Sequence, residues 1–218
     1  MAGAMDTPKA QRWKRRKAAR PQEILEAAMG VFAEKGFSRT RMDDIARKAG
    51  VTKGTIYLYF ENKEAVFEQL VRDSIGHALE QVLESVERFE GATRDLLGFA
   101  LRAISQFVLT SDRVVLPKIV IAEAGNFPQL ARFYRGEVID KGLGVLTRVI
   151  ARGIARGEFR PLPPEHVARL CIAPLLLAAF WRTTFGQFDN EPYDYQGLVQ
   201  THLDVLLRGL AAQEGSSP

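Results

Sequence analysis

The residues whose types and spacing point most directly to chemistry are Lys53, Gly54, Thr55, Tyr57 and Tyr59, followed by Lys63. None of them pairs a nucleophile with a base. Together they suit a nucleic-acid groove: Lys53 can donate to guanine acceptors, and Thr55 and Tyr57 can hydrogen-bond or meet a thymine methyl. Gly54 lets the backbone approach base edges or phosphate. Tyr59 and Lys63 are expected at the groove edge, holding phosphates. Asn62 is expected to cap the helix that starts at Lys63, whose free N–H groups then form an anion site facing the same way.

Such residues must be held on short, well-delimited elements. The stretch Thr40 to Phe67 reads TRMDDIARKAGVTKGTIYLYFENKEAVF and predicts a helix over Met42–Ala49, a turn at Gly50-Val51-Thr52 and a second helix over Lys53–Phe60. Thr40 is the expected N-cap of the first, with Asp43 closing a capping box. Gly50 supplies the left-handed residue that stops it. Ile45, Ala49, Val51 and Ile56 hold the two helices together, Thr52 caps the second, and Ile56 and Phe60 at i, i+4 face inward. A preceding helix is predicted from Pro21 or Gln22 to Lys35, with Ile24, Ala28, Val31 and Phe32 on one face and Gly36 as its stop. Phe37 is expected to plug the small core. The result is a three-helix unit containing a helix-turn-helix.

Within this unit AGVTKGTIYLYFENKEAVF resembles the signature of the tetracycline-repressor (TetR/AcrR) family of bacterial regulators, over roughly Gln22 to Val71. The resemblance implies a homodimeric, ligand-responsive regulator, a repressor that binds a palindromic operator in double-stranded DNA and is released by a small hydrophobic or amphipathic effector. Arg16, Thr40, Arg41 and Thr52 join Lys53, Gly54, Thr55, Tyr57, Tyr59 and Lys63 as candidate DNA contacts.

With 218 residues, 46% hydrophobic and 26% charged, the chain is long enough for one large core or two small ones. The net charge of +4 is modest, but residues 9–20 (KAQRWKRRKAAR) hold seven basic side chains and no acid. That block points to a polyanion and is expected to form an arm along phosphates or the minor groove. The longest uncharged apolar run, Leu170–Trp181, is too short for a bilayer and contains Pro174, so no membrane is expected and the run reads as a buried helix. No hydrophobic leader follows the start, which points to a cytoplasmic protein. Cys171, the only cysteine, is expected to be an inert buried thiol.

An all-α fold is expected throughout, because no stretch alternates with period two for long. The domain reading is a basic arm over 1–20, the helix-turn-helix domain over 21–68, a helical ligand-binding and dimerisation domain over 69–212, and a tail over 213–218. One continuous helix from Lys63 to about Phe89 joins the two domains. Further helices are expected over Thr93–Thr110, Asp112–Gly125, Phe127–Gly157, Pro163–Gly186 and Tyr193–Leu210, with Asp112 and Asn126 as caps. Val199, Leu203, Leu206 and Leu210 form one apolar stripe. Leu198, His202 and Val205 widen it, and Leu170, Ala173, Leu177 and Ala178 offer a facing surface on the helix before it; together they are the expected dimer interface.

Candidate effector contacts are Phe107, Glu123, Phe127, Phe133, Tyr134, His166, Phe180, Trp181, Arg182 and Phe185. Any single aromatic among them is expected to be core. A charge in apolar surroundings needs a partner, so Glu123 and Arg182 are expected to pair with each other; the sharper alternative has Arg182 or His166 meeting the polar end of the effector. No catalytic residues, metal ligands or cofactor are expected. Phosphate-binding glycine loops and a nucleophile elbow are missing from the sequence, and His77, His166 and His202 lie at no metal-ligand spacing.

Overall fold

The computed structural model describes residues 8–110 and 112–212, with side chains from Arg20 onward apart from those of residues 77, 78 and 112. Eleven α-helices carry the fold among these residues, and the one β contact is an isolated bridge between Phe159 and Ala211.

Helix α1 (Pro8–Lys35) begins earlier than the proline suggested, so Pro21 lies in its interior and the basic segment continues it rather than forming a separate arm. Ile24, Leu25, Ala28, Val31 and Phe32 are buried along one face. Gly36 ends the helix at φ +75°, a conformation that penalises any Cβ. Helix α2 (Met42–Lys48) starts at Met42 as expected and ends one residue early, and its cap is a different one. Arg41 is the N-cap residue, and its N–H donates to the Asp44 carboxylate at 3.2 Å. Thr40 is only 2% exposed and gives its hydroxyl hydrogen to the Gly36 carbonyl at 2.7 Å, so it closes the corner instead of capping the helix. Gly50 (φ +65°) makes the turn, and Thr52 Oγ1 accepts from the Thr55 N–H at 3.2 Å to cap α3 (Lys53–Tyr57). That helix is three residues shorter than the spacing predicted, since Leu58 and Tyr59 form a turn. Asn62 Oδ1 accepts from the Ala65 N–H at 2.8 Å and caps α4 (Lys63–Val71).

The connecting helix runs on from α4 through one wide π turn, Arg72–Gly76, into α5 (His77–Arg88). Then follow α6 (Thr93–Thr110), a 3-10 turn (Asp112–Val114), α7 (Val115–Glu123) and α8 (Pro128–Tyr134). A second π turn (Arg135–Asp140) leads into α9 (Lys141–Ala155), and α10 (Pro164–Thr184) and α11 (Tyr195–Leu210) complete the chain. Asn126 is not a cap: its side-chain N–H donates to Glu123 Oε2 at 3.2 Å, and Phe127 occupies the cap position of α8.

Two apolar cores form. The first joins Phe32, Phe37, Ile45, Ile56 and Phe67 of the N-terminal unit to Leu116, Ile119 and Leu130 of α7 and α8. The second lies among α6, α9, α10 and α11, around Leu97, Leu101, Ile150 and Cys171. Helix α10 is long and apolar enough to cross a membrane by length and composition, but here Val167, Ala168, Cys171, Leu175, Ala178 and Ala179 bury its inner face against α6 and α9. Burial raises the Cys171 thiol pKa to about 12, which keeps it protonated and unreactive.

Candidate DNA-reading surface and its attachment

Helix α3 presents its outer face because Ile56 (0% exposed) and Phe60 (7%) anchor the opposite one. Lys53 and Gly54 are exposed, Tyr57 is 47% exposed, and Leu58, just past the helix, is 81% exposed. Leu58 was not among the candidate contacts, yet the Ile56/Phe60 pair signals it, since a residue between two inward anchors must point away. A Cβ added at Gly54 would find only Thr52 Oγ1, at 4.0 Å. The space in front of that glycine is therefore open to a docking partner. Thr52 and Thr55 share a hydroxyl–hydroxyl hydrogen bond of 2.8 Å, and Lys53 Nζ lies 3.1 Å from Asp43 Oδ2. An ion pair this exposed contributes little and can be exchanged for a phosphate.

Other candidates sit differently. Thr40 is buried and has no side-chain access to DNA. Arg41 is exposed at the start of α2, and Tyr59 is half-buried against the first core. Lys63, expected at the groove edge, turns inward: its ammonium donates to the carbonyls of Phe37 (2.8 Å), Ser38 (3.1 Å) and Thr40 (3.3 Å). It also stands over the rings of Phe37 and Phe127 at 4.6 and 5.2 Å. An ammonium has three N–H groups, so a phosphate contact would require giving up one of these carbonyls. The side chain of Arg16 lies outside the described residues.

The reading unit is clasped to the larger domain. Glu123, at the end of α7, accepts from Ser38 N–H at 3.0 Å and from the Ser38 hydroxyl at 2.6 Å. The Ser38 hydroxyl and the Asn126 amide outweigh partial burial and hold the Glu123 carboxyl below the usual carboxylate range. Phe127 packs edge-on against Phe37, centroids 5.0 Å apart. This corrects the expected Glu123–Arg182 pair: Glu123 serves the corner before α2, and Arg182 Nε is buried with no hydrogen-bond partner.

The candidate effector contacts are not brought into one place. Phe127 and Tyr134 belong to the first core, where burial raises the pKa of the Tyr134 hydroxyl. Phe133 lies under the Arg72 guanidinium at 4.8 Å, and Phe107 under that of Arg113 at 5.7 Å. His166 is exposed near the start of α10, while Phe180 and Arg182 lie toward its other end beside Trp181 and Phe185, whose rings meet at a tilt with centroids 5.1 Å apart. The stripe expected at a dimer interface is also divided. Val199 (7%), Leu203 (3%), Leu210 (4%) and Ala178 (4%) face their own protomer's core, whereas Leu170 (62%) and Leu177 (65%) remain exposed. The outward surface of α10 and α11 is thus Leu170, Leu177 and Trp181 with Val205, flanked by half-buried Leu198, His202 and Leu206. Among the described residues no cluster of three or more His, Cys, Asp or Glu could hold a metal.

A capped two-helix reader clasped to an all-helical body defines the class. Residues 24–70 match the family described as bacterial regulatory proteins, tetR family, and residues 90–190 match a tetracyclin repressor-like C-terminal domain. An uncharacterized HTH-type transcriptional regulator, YfiR of Bacillus subtilis (strain 168), is 30% identical over 206 residues, covering 92% of this chain and 97% of that protein. The fatty acid metabolism regulator protein of the same organism is 28% identical over 188 residues, 86% of this chain and 94% of that protein. Among solved structures, the ketosteroid regulator KstR2 of Mycobacterium tuberculosis superposes with a TM-score of 0.65 at 26% identity, over 89% of this chain and 96% of that one. The chain belongs to the tetR family. It is a ligand-responsive, DNA-binding transcriptional regulator and not an enzyme.

Proposed function

We propose that the chain acts as a homodimeric repressor of a palindromic operator and that an amphipathic molecule of the fatty-acyl class releases it. The observation that carries the DNA side is the outer face of α3, where Lys53, Gly54, Tyr57 and Leu58 project from a buried anchor. Arg41, Thr52, Thr55 and Tyr59 flank that face. One helix of five residues reads too few bases alone, and a two-fold pair places two such helices one DNA turn apart. Leu170, Leu177 and Trp181 on α10 with Val205 on α11 supply an apolar face for that pairing. A partner in bacterial DNA also puts the work in the cytoplasm.

The effector class is supported by relatives: one is named a fatty acid metabolism regulator, and another is the repressor KstR2, whose solved counterpart is titled a ketosteroid regulator. Fatty acids and ketosteroids are both largely apolar molecules with a polar end. DNA and effector must weaken each other by equal factors if they favour different states of the dimer. Selecting bound oligonucleotides from a random pool tests the DNA side: recovery of a palindrome is expected, and unselective binding would sink it. Titrating stearoyl-CoA into the selected complex tests the effector side, where unchanged operator affinity at saturation would refute the acyl assignment while leaving the operator assignment standing.

A further inference from the structure

The two apolar cores divide the chain at places other than the end of the helix-turn-helix. Core side chains of the first body come from the N-terminal unit as far as Ile75 and then from Val115 to Val138. Those of the second come from Val86 to Leu109 and again from Leu143 onward. The chain therefore crosses from one body to the other three times, between Ile75 and Val86, Leu109 and Val115, and Val138 and Leu143. At every crossing regular α-helix is interrupted: the π turn Arg72–Gly76, the 3-10 turn Asp112–Val114 and the π turn Arg135–Asp140.

Such turns break the regular hydrogen-bond ladder that makes an α-helix stiff, and they are found disproportionately where helices must give. The three also gather at one level. The π turns pack on each other, and Arg113 Nη1 of the 3-10 turn donates to the Ser74 carbonyl of the first π turn at 3.1 Å. Gly76 and Gly136 lie in the two π turns, and beyond the turn's own backbone nothing stands within 4 Å of where a Cβ would go at either. The first body, by contrast, resists internal motion. Moving the helix-turn-helix against α7–α8 would break the Ser38–Glu123 clasp, separate Phe37 from Phe127 and pull Lys63 off the Phe127 ring.

We infer that the unit which turns when DNA is bound or released is α1–α4 together with α7–α8, pivoting on these three turns, and not the helix-turn-helix alone. Helices α7 and α8, which touch no DNA in this scheme, are then part of the reading body. Lys118, which donates to the Thr183 carbonyl at 3.1 Å, ties that body to α10 across the seam.

This rests on the operator assignment above, so an operator complex is first established by gel shift; failure to form one tells against that assignment and not against the pivot, which the free dimer still reports. Spin labels at exposed Glu26 (α1), Gln129 (α8) and Ala151 (α9), taken in pairs and diluted with unlabelled protein, give the distances; buried Cys171 stays unlabelled. On operator binding the Glu26–Gln129 distance is expected to hold, while Gln129–Ala151 and Glu26–Ala151 move by about 2 Å or more, the scale of a domain rearrangement. In the free dimer the distributions across the seam are expected to be broader than within the body, and Gly76→Ala with Gly136→Ala should narrow them. The pivot is refuted if Glu26–Gln129 moves while Gln129–Ala151 stays, if no pair moves on DNA binding, or if the free dimer shows equal widths throughout.

Discussion

Glu123 and Glu158 each reach far along the chain, 85 and 65 residues, to take a backbone N–H and a hydroxyl from one residue, yet they join different things. Glu123 takes both from Ser38 and fastens the reading unit to α7–α8. Glu158 takes both from the fully buried Thr93, adds the N–H of Arg94 at 3.2 Å, and fastens the start of α6 within the second core. For Glu158 burial pushes the carboxyl pKa up, but the Thr93 and Arg94 donors and the nearby Arg156 bring it below the usual range. For Glu123 the Ser38 hydroxyl is itself the largest influence. The same clasp thus acts as a joint in one body and as an internal brace in the other, and its effect on DNA binding should differ accordingly.

The largest contrast comes from the cores themselves. Phe37 and Leu97 are both fully buried, and truncating either to Ala should cost about 3–5 and 2–5 kcal/mol of unfolding free energy respectively. Measured well below the melting temperature, operator affinity should fall with Phe37→Ala and hold with Leu97→Ala; equal losses would erase the distinction between the bodies. Next come the clasps: Glu123→Ala and Glu158→Ala should each destabilise by about 1–3 kcal/mol in denaturant titrations, and only the former should weaken operator binding.

Two glycines sharpen the same point locally. Gly50→Ala places a Cβ on a residue at φ +65° and should cost about 1–2 kcal/mol of stability. Gly54→Ala meets open space, so it should leave the melting temperature in place and weaken operator binding instead. Smaller still is Asp43→Asn, which removes an exposed pair with Lys53 that contributes at most about 1 kcal/mol; stability should hold and operator affinity rise as a negative charge leaves the groove.

Acid probes both clasps at once. Their carboxyl pKa values are lower folded than the 4.5 of a free side chain, so the stability they provide is complete above pH 4.5 and fades as pH falls through the lowered folded values. Glu123→Gln with Glu158→Gln should flatten the loss of stability in that acidic window, as followed by circular dichroism. An unchanged slope would mean that neither clasp is linked to folding.

The reading unit was the most legible part of the sequence. Gly50, Thr52, Ile56 and Asn62 act where local rules place them, because a helix end is satisfied or not by residues within four positions of it. The misreadings arose where a contact outside the local stretch overrode the local answer. Thr40 is the better cap by side chain, yet the fold uses its buried hydroxyl to close the preceding corner and the cap position falls on Arg41. Lys63 carries a charge that suits a phosphate, and no local rule announces three converging carbonyls.

By itself the sequence determined that the chain is helical, that Gly50 stops α2 and that Thr52 and Asn62 start α3 and α4, and which face of α3 is free, since these depend on backbone satisfaction and side-chain period over a few residues. Only the tertiary structure decided the partner of Glu123, the direction of Lys63, and which side of α10 and α11 is left exposed. A stripe of period 3.6 states that a face is apolar; what covers it depends on helices distant in sequence, and the chain must fold before they meet.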